Sequence, residues 1–377
     1  MFQWARLGAF TALACAAALV ACSDSGSGLS PTAASGTPAP VAKADSTTAR
    51  SDTPASPTVN PALRGAAAFV RDTAPWSFDN AAGQIIKTDH FTIYTTCKAP
   101  AIMERLPGFM EAALHNYVSA LVPLEYPDSS MESYFMANRS QWQQVSMQML
   151  GARAKPLTQI QRGGFATMGR GFYFDIGAFD TLAVAGHEGW HQFTQRTFRE
   201  SMPIWLEEGI ATYMEGHRWQ GGSPKFLPWA NVERFDRLRD MASKKQLLSL
   251  QDLLGANSDR LISGGNSGVG LTYYAQLWAL VHFLNEGENG KYHDALQRVV
   301  TDAAAGKLGQ NVFAKLGTQA NRPLARAVGP SVFLAYFDTD IGRVNVEYQA
   351  FVAKIAATGS REAVVEGRSP FQPRPGN

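Results

Sequence analysis

Apolar and polar positions divide the chain into three stretches with different rhythms. From residue 23 to about 62 there is almost nothing to bury. Ser, Thr, Ala, Pro, Gly and Asp dominate, and the first aromatic residue beyond the leader is Phe69. Such a segment cannot offset the entropy of ordering and is expected as a disordered linker. Between residues 69 and 175 strand and helix periods alternate. Ile85-Ile86 and Phe91-Thr92-Ile93-Tyr94 predict strand, Met103, Leu106, Met110, Leu114, Tyr117 and Leu121 recur at helical spacing within 102–121, and 133–137 predicts a further strand. A helix is expected over 141–150. Residues 163–167 and 171–175 predict two short strands joined by a turn at Met168-Gly169-Arg170.

Beyond Asp180 the pattern is helical almost throughout. Helices are expected over 180–197, 204–215, 231–242, 271–285, 292–304 and 330–355, with Pro203 suited to a first helical turn. The glycine-rich run 264–270 is expected as a flexible loop, because no strand precedes it to form a phosphate cradle. The fold class predicted is α+β. A small mixed β-sheet lobe with a long helix (66–200) is followed by a mainly α-helical lobe (201–365) and a flexible tail (366–377).

Composition narrows this picture only slightly. Of 377 residues 45% are hydrophobic and 18% charged, a globular balance. The 34 basic and 32 acidic residues are interspersed, so no nucleic-acid partner and no polybasic membrane patch is expected. Residues 1–21 carry one positive charge, Arg6, ahead of an apolar run too short for a comfortable membrane span, and read as a secretory signal. The run ends in Leu19-Val20-Ala21-Cys22, which resembles the lipobox of bacterial lipoproteins. That resemblance implies cleavage before Cys22, a lipid on its thiol, and a linker over 22–65 reaching roughly 35 Å from the membrane. Ser23 follows Cys22, with Asp24 next. The chain therefore lacks Asp directly after the cysteine, the inner-membrane retention signal, and the cell envelope, with the outer membrane favoured, is the expected location. Cys15 leaves with the leader, so Cys97 has no partner for an intramolecular disulfide.

The chemistry concentrates in His187-Glu188-Gly189-Trp190-His191, followed 17 residues later by Glu208 within Trp205-Leu206-Glu207-Glu208-Gly209. Two histidines four apart on a helix share one face, about 6 Å apart along the axis, close enough to hold one ion. Glu188 lies about 100° around the helix, out of reach as a ligand but able to reach a water as general base. A catalytic zinc ion needs a third protein ligand. Glu208 is the expected one, since the break at Ser201-Met202-Pro203 lets a second helix run back beside the first. Glu207 is its competitor. Gly209 and Ala211 are expected to let the second helix approach the site, and Thr212 to hydrogen-bond a ligand histidine, with Tyr213 and Glu215 as weaker supports. Gly189 is expected to admit a close neighbour, and Trp190 and Phe193 to anchor the helix.

Together, His187-Glu188-x-x-His191 and Trp205-Leu206-x-Glu208-Gly209-x-Ala211-x-Tyr213 resemble the gluzincin metallopeptidases, particularly bacterial peptidase-MA-like domains and more distantly the gluzincin aminopeptidases. The resemblance implies a zincin-like fold, Zn2+ bound by His187, His191 and Glu208, and water activation by Glu188. The segment from Tyr273 to Leu284 resembles the helix that follows in these domains, where a tyrosine points at the oxyanion. This implies a catalytic role for Tyr274, with Tyr273 close behind. The aminopeptidases carry an acidic amine-binding segment before the zinc helix, but Gly163-Gly164-Phe165-Ala166 has no acid there, which argues against recognition of a free amine.

Other classes fit less well. A metzincin has glycine and histidine where this chain has Thr194 and Thr197, and the cysteine ligand of a peptide deformylase lies far closer to the motif than Cys97 does. His90, His115, His217, His282 and His293 are expected as surface or satisfied core residues, His217 being the one worth testing. The function expected is zinc-dependent hydrolysis of a peptide or protein substrate in the envelope. The strand over 163–167 is a candidate for pairing with extended substrate. The alternative is a non-catalytic zinc-binding surface lipoprotein.

Overall fold

The computed structural model describes residues 68–160, 163–256, 267–317 and 330–371. The expected leader, Cys22, the linker, residues 264–266 of the glycine-rich run and the last six residues of the expected tail lie outside the described residues.

The fold is α+β. Six strands, β1 (Asp72–Phe78), β2 (Ala81–Lys87), β3 (Phe91–Thr95), β4 (Met131–Met136), β5 (Gly164–Thr167) and β6 (Arg170–Phe174), form one sheet in the order β1-β2-β3-β4-β6-β5. β4 is parallel to both β3 and β6, and the remaining pairs are antiparallel. The first strand escaped sequence reading because Pro75 interrupts it, and a proline is tolerated there because β1 lies at the sheet edge. Asp79 and Asn80 make its hairpin turn with φ of 49° and 59°, the left-handed pair that suits the strand twist. The β5–β6 turn is the two residues Met168 and Gly169, and Arg170 already pairs with Thr167.

Alternation along the central strands builds two cores. Phe135 and Tyr173 face one layer, together with α1 (Leu106–Tyr117) and the long α3 (Ala178–Thr197). Tyr134, Met136, Phe165, Phe172 and Phe174 face the other, against Trp142 and Val145 of α2 (Arg139–Leu150). The helix expected over 102–121 is broken, with a short turn at Pro100–Met103 ahead of α1.

Beyond α3 lie α4 (Ile204–Met214), a hairpin of β7 (His217–Gln220) and β8 (Ser223–Phe226), α5 (Val232–Ser243), α6 (Leu250–Gly255), α7 (Ser267–Gly290), α8 (His293–Ala305), α9 (Leu308–Leu316), α10 (Ser331–Tyr336), α11 (Ile341–Ile355) and α12 (Ser360–Glu366). Every residue of α4 is buried. α7 begins inside the expected glycine-rich loop, and its backbone leaves the helical region at Gly287, Glu288 and Asn289. The single helix expected over 330–355 is two, because the Asp340 side chain caps α11 by accepting from the Arg343 N–H at 2.9 Å. The expected flexible tail is packed as far as Phe371. Ser369 Oγ donates to Glu286 Oε2 at 2.6 Å, and the Phe371 ring stacks on Phe351. No described helix is long and apolar enough to cross a membrane.

Candidate metal centre

α3 carries the His-Glu-x-x-His run through the centre of the molecule, buried from His187 to Thr194. Asp180 in its first turn and Arg196 in its last complement the helix dipole. Gly189 is required by packing: a Cβ there would lie 2.5 Å from the Tyr117 hydroxyl, which donates to the Gly186 carbonyl at 2.8 Å. That close neighbour is α1. Pro203 then starts α4, and α4 returns alongside α3 with Glu207 and Glu208 turned toward it.

Three atoms converge. His187 Nε2 and His191 Nε2 are 3.3 Å apart, and Glu208 Oε2 lies 3.4 Å from the first and 3.5 Å from the second. A tetrahedral ion with bonds of about 2.0–2.1 Å has ligand atoms about 3.3–3.4 Å apart, so the triangle has the size of one face of such a shell. Among the described residues this is the group of His, Cys, Asp and Glu side chains that can hold a metal ion.

Ring orientation is set from behind. His187 Nδ1 donates to Glu215 Oε1 at 2.8 Å and His191 Nδ1 donates to Glu207 Oε1 at 3.0 Å, because an ionised carboxylate only accepts. Both Nε2 atoms of the neutral rings then present lone pairs to one point, where Glu208 adds a carboxylate oxygen. Such a cluster draws positive charge. Burial works against a charged His187, yet its bonds to Glu208 and Glu215 raise its pKa to about 8. Burial likewise works against the Glu208 anion, and the two imidazoles nevertheless hold it well below the usual carboxylate range.

The supporting partners differ from those expected. Glu215, the weaker candidate, holds His187, while Thr212 donates its hydroxyl to the Gly209 carbonyl at 2.7 Å and not to His187 or His191. Glu207, the competing ligand, supports His191 and accepts a second bond from Thr194 Oγ1 at 2.8 Å. Tyr213 Oη accepts from Asn285, away from the ligands. Gly209 serves α7, since a Cβ there would meet Val281 at 2.8 Å and the Leu277 carbonyl at 3.2 Å.

Sequence reading also missed Arg234 and Asn231. Arg234 grips Glu215 with Nε and Nη2 at 3.1 and 2.8 Å, and Asn231 Nδ2 donates to Glu215 Oε2 at 2.7 Å. Against its own desolvation Glu215 is pulled down to about 2, first by Arg234 and then by His187. Asn231 was legible as the cap of α5, but nothing local distinguishes Arg234 from a surface arginine.

Glu188 is fully buried. Its Oε2 accepts from the Ala166 N–H of β5 at 3.0 Å, and its Oε1 has no hydrogen-bond partner among the described residues. Burial raises its pKa to about 7. The Ala166 carbonyl accepts from Gln195 Nε2 at 3.2 Å. Both backbone polar groups of Ala166 on this edge strand, within the segment expected to pair with substrate, are thus paired to α3. The Tyr274 ring packs edge to face on His187, with centroids 6.0 Å apart, and the Arg234 guanidinium lies over its face at 5.5 Å. The Tyr273 ring packs edge to face against Tyr274, with centroids 6.0 Å apart.

The other histidines lie outside the cluster. His90 pairs with Glu111, His115 with Tyr126, His282 with Glu286 and His293 with Asn285, while His217 Nδ1 donates to the Glu215 carbonyl.

Residues 181–304 match a family described as a protein of unknown function (DUF1570). The matched stretch holds His187, Glu188, His191, Glu208, Glu215, Arg234 and Tyr274. No curated protein matches the chain.

Proposed function

We propose that this chain is a zinc-dependent metallopeptidase of the gluzincin kind, exported and tethered to the outer membrane through a lipid on Cys22. The observation that carries the reading is the triangle of His187 Nε2, His191 Nε2 and Glu208 Oε2, with Glu188 one residue along the same helix. Two imidazoles and one carboxylate, leaving a position open, are the donor set of catalytic zinc sites.

The chain's own residues have distinct tasks. His187, His191 and Glu208 would hold the ion, while Glu215 and Glu207 keep each ring's Nε2 turned inward. Zinc, when bound, supplies a Lewis acid and lowers the pKa of water at its open position from about 15.7 toward 7. Glu188 Oε1 takes a proton from the attacking water and delivers it to the leaving amine nitrogen, while Oε2 stays anchored to Ala166. Tyr274 donates to the oxygen of the former carbonyl as its charge develops. The buried Arg234 balances the charge of Glu215, and Glu208 brings one negative charge to the ion.

One observation favours the second reading, a zinc-holding lipoprotein without catalysis: the four side chains are 3% exposed or less. The two readings part on Glu188, because a structural site needs no base. The test is metal analysis of the purified full chain, with hydrolysis of a peptide library by wild type and Glu188→Gln. One zinc per chain, with activity that falls at least 100-fold in the variant while the zinc remains, supports the peptidase. Zinc without hydrolysis supports the second reading, and absence of stoichiometric zinc after reconstitution sinks both.

A further inference from the structure

Beside the metal centre lies a cavity of about 460 Å³ that the zinc chemistry does not use. Its wall includes Phe179 and Ala183 of α3, Glu215, and His217, Arg218 and Trp219 of β7. Phe179, Ala183 and His187 follow one another at intervals of four, so they lie along one helical face. Glu215 belongs to both places, since its Oε1 holds His187. An occupant of the cavity would sit about one helical turn from a metal ligand.

The chemistry of the wall is specific. Phe179 is 71% exposed, and it stacks over His217 with centroids 6.1 Å apart. Trp219 meets the same imidazole edge to face. His217 is itself 6% exposed. Its Nδ1 donates to the Glu215 carbonyl at 2.9 Å, so the neutral ring keeps its lone pair on Nε2, which has no hydrogen-bond partner among the described residues. Burial lowers the His217 pKa and so favours that neutral form. Arg218, on the same cavity wall, has a buried Nε that is also without a hydrogen-bond partner among the described residues.

We infer that this cavity is a substrate subsite for an aromatic side chain bearing a hydrogen-bond donor, a tyrosine or tryptophan of the peptide. The ring stacks against Phe179 and Trp219, its O–H or N–H donates to His217 Nε2, and Arg218 Nε donates to a carbonyl of the peptide that carries it. The inference deepens the peptidase reading but needs only binding to be tested.

The experiment titrates the zinc-loaded full chain with N-acetyl-tyrosinamide and N-acetyl-phenylalaninamide, following amide shifts by NMR. The tyrosine probe is expected to bind about tenfold more tightly, the worth of one good hydrogen bond to a buried acceptor. His217→Phe, which keeps a ring among Phe109, Trp219 and Phe226, should erase the difference. Phe179→Ala, at an exposed position, should weaken both probes severalfold. Equal binding of the two probes to wild type, or binding too weak to detect, overturns the subsite, as does a preference that survives His217→Phe. If the subsite behaves as expected and no peptide is cleaved, the subsite stands and the peptidase reading falls. If peptides are cleaved and the tyrosine preference is missing, the peptidase reading stands and the subsite falls.

Discussion

Glu215 Oε1 accepts the Nδ1 proton of His187 at 2.8 Å while Arg234 clamps the same carboxylate from the far side. The tautomer of His187 is therefore set by an ion pair that is itself buried. Glu215→Gln keeps the shape but loses the charge that makes Nδ1 the protonated nitrogen. Its zinc affinity, measured by competition with a chromophoric chelator, is expected to fall 10–100-fold. An unchanged affinity would show that the ring is oriented by packing alone.

Removing the metal should destabilise the fold. Without the metal, a proton on buried His187, whose pKa is raised to about 8, is left to bridge two imidazole nitrogens and a carboxylate oxygen that lie 3.3–3.5 Å apart. Zinc at about 100 times its dissociation constant should add roughly 2.7 kcal/mol. In thermal denaturation the apo chain should melt lower and recover on reconstitution, and His187→Ala and His191→Ala should abolish the zinc-induced shift.

Peptide hydrolysis should have an acidic limb closer to neutrality than an ordinary carboxylate gives. The base must be unprotonated, and burial raises Glu188 from 4.5 to about 7; a neighbouring cation pulls it partly back. Activity is therefore lost as pH falls through a value between these two. A kcat/KM profile flat from pH 5 to 8 would remove Glu188 from the role of base.

Gly189 can be tested by a double-mutant cycle. Gly189→Ala drives its Cβ against the Tyr117 hydroxyl at 2.5 Å, and overpacking of this kind costs about 1–3 kcal/mol. Tyr117→Phe removes the clashing oxygen, since the next ring atoms lie 3.3 and 3.4 Å away. The second substitution should cost less in the alanine background than alone, read from denaturant midpoints. Simple additivity would place the strain elsewhere.

Tyr274→Phe should lower kcat about 10²–10³-fold with zinc content unchanged, the scale of losing one oxyanion donor. A variant that instead loses zinc would mark Tyr274 as packing for the His187 ring.

Local pattern reaches far into this protein, and it fails at identifiable places. α3 was legible from its apolar period, and α4, buried on every face, from the helix start that Pro203 marks. β1 was lost to Pro75, the β7–β8 hairpin to polar residues and short length, and the break before α11 to an aspartate that caps a helix rather than ending a loop. In the site, spacing singled out His187, Glu188 and His191, and a helix break pointed to Glu208. The partners behind them were legible only in part. Glu215, a weaker candidate, does hold His187, whereas Thr212 bonds within its own helix and Glu207, the competing ligand, supports His191.

The sequence by itself determined what depends on residues within a turn or two of one another. Two imidazoles share a helix face because of a four-residue interval, and a carboxylate between them lies off that face. Only the tertiary structure decided which atoms meet. Glu208 joins the histidines because α4 packs back along α3, Arg234 reaches Glu215 across 19 residues of chain, and Phe179 and Trp219 come to share a cavity wall. Periodicity specifies the direction in which a side chain leaves its own helix, whereas its partner on another element is chosen by how the cores close, a property of many distant contacts at once.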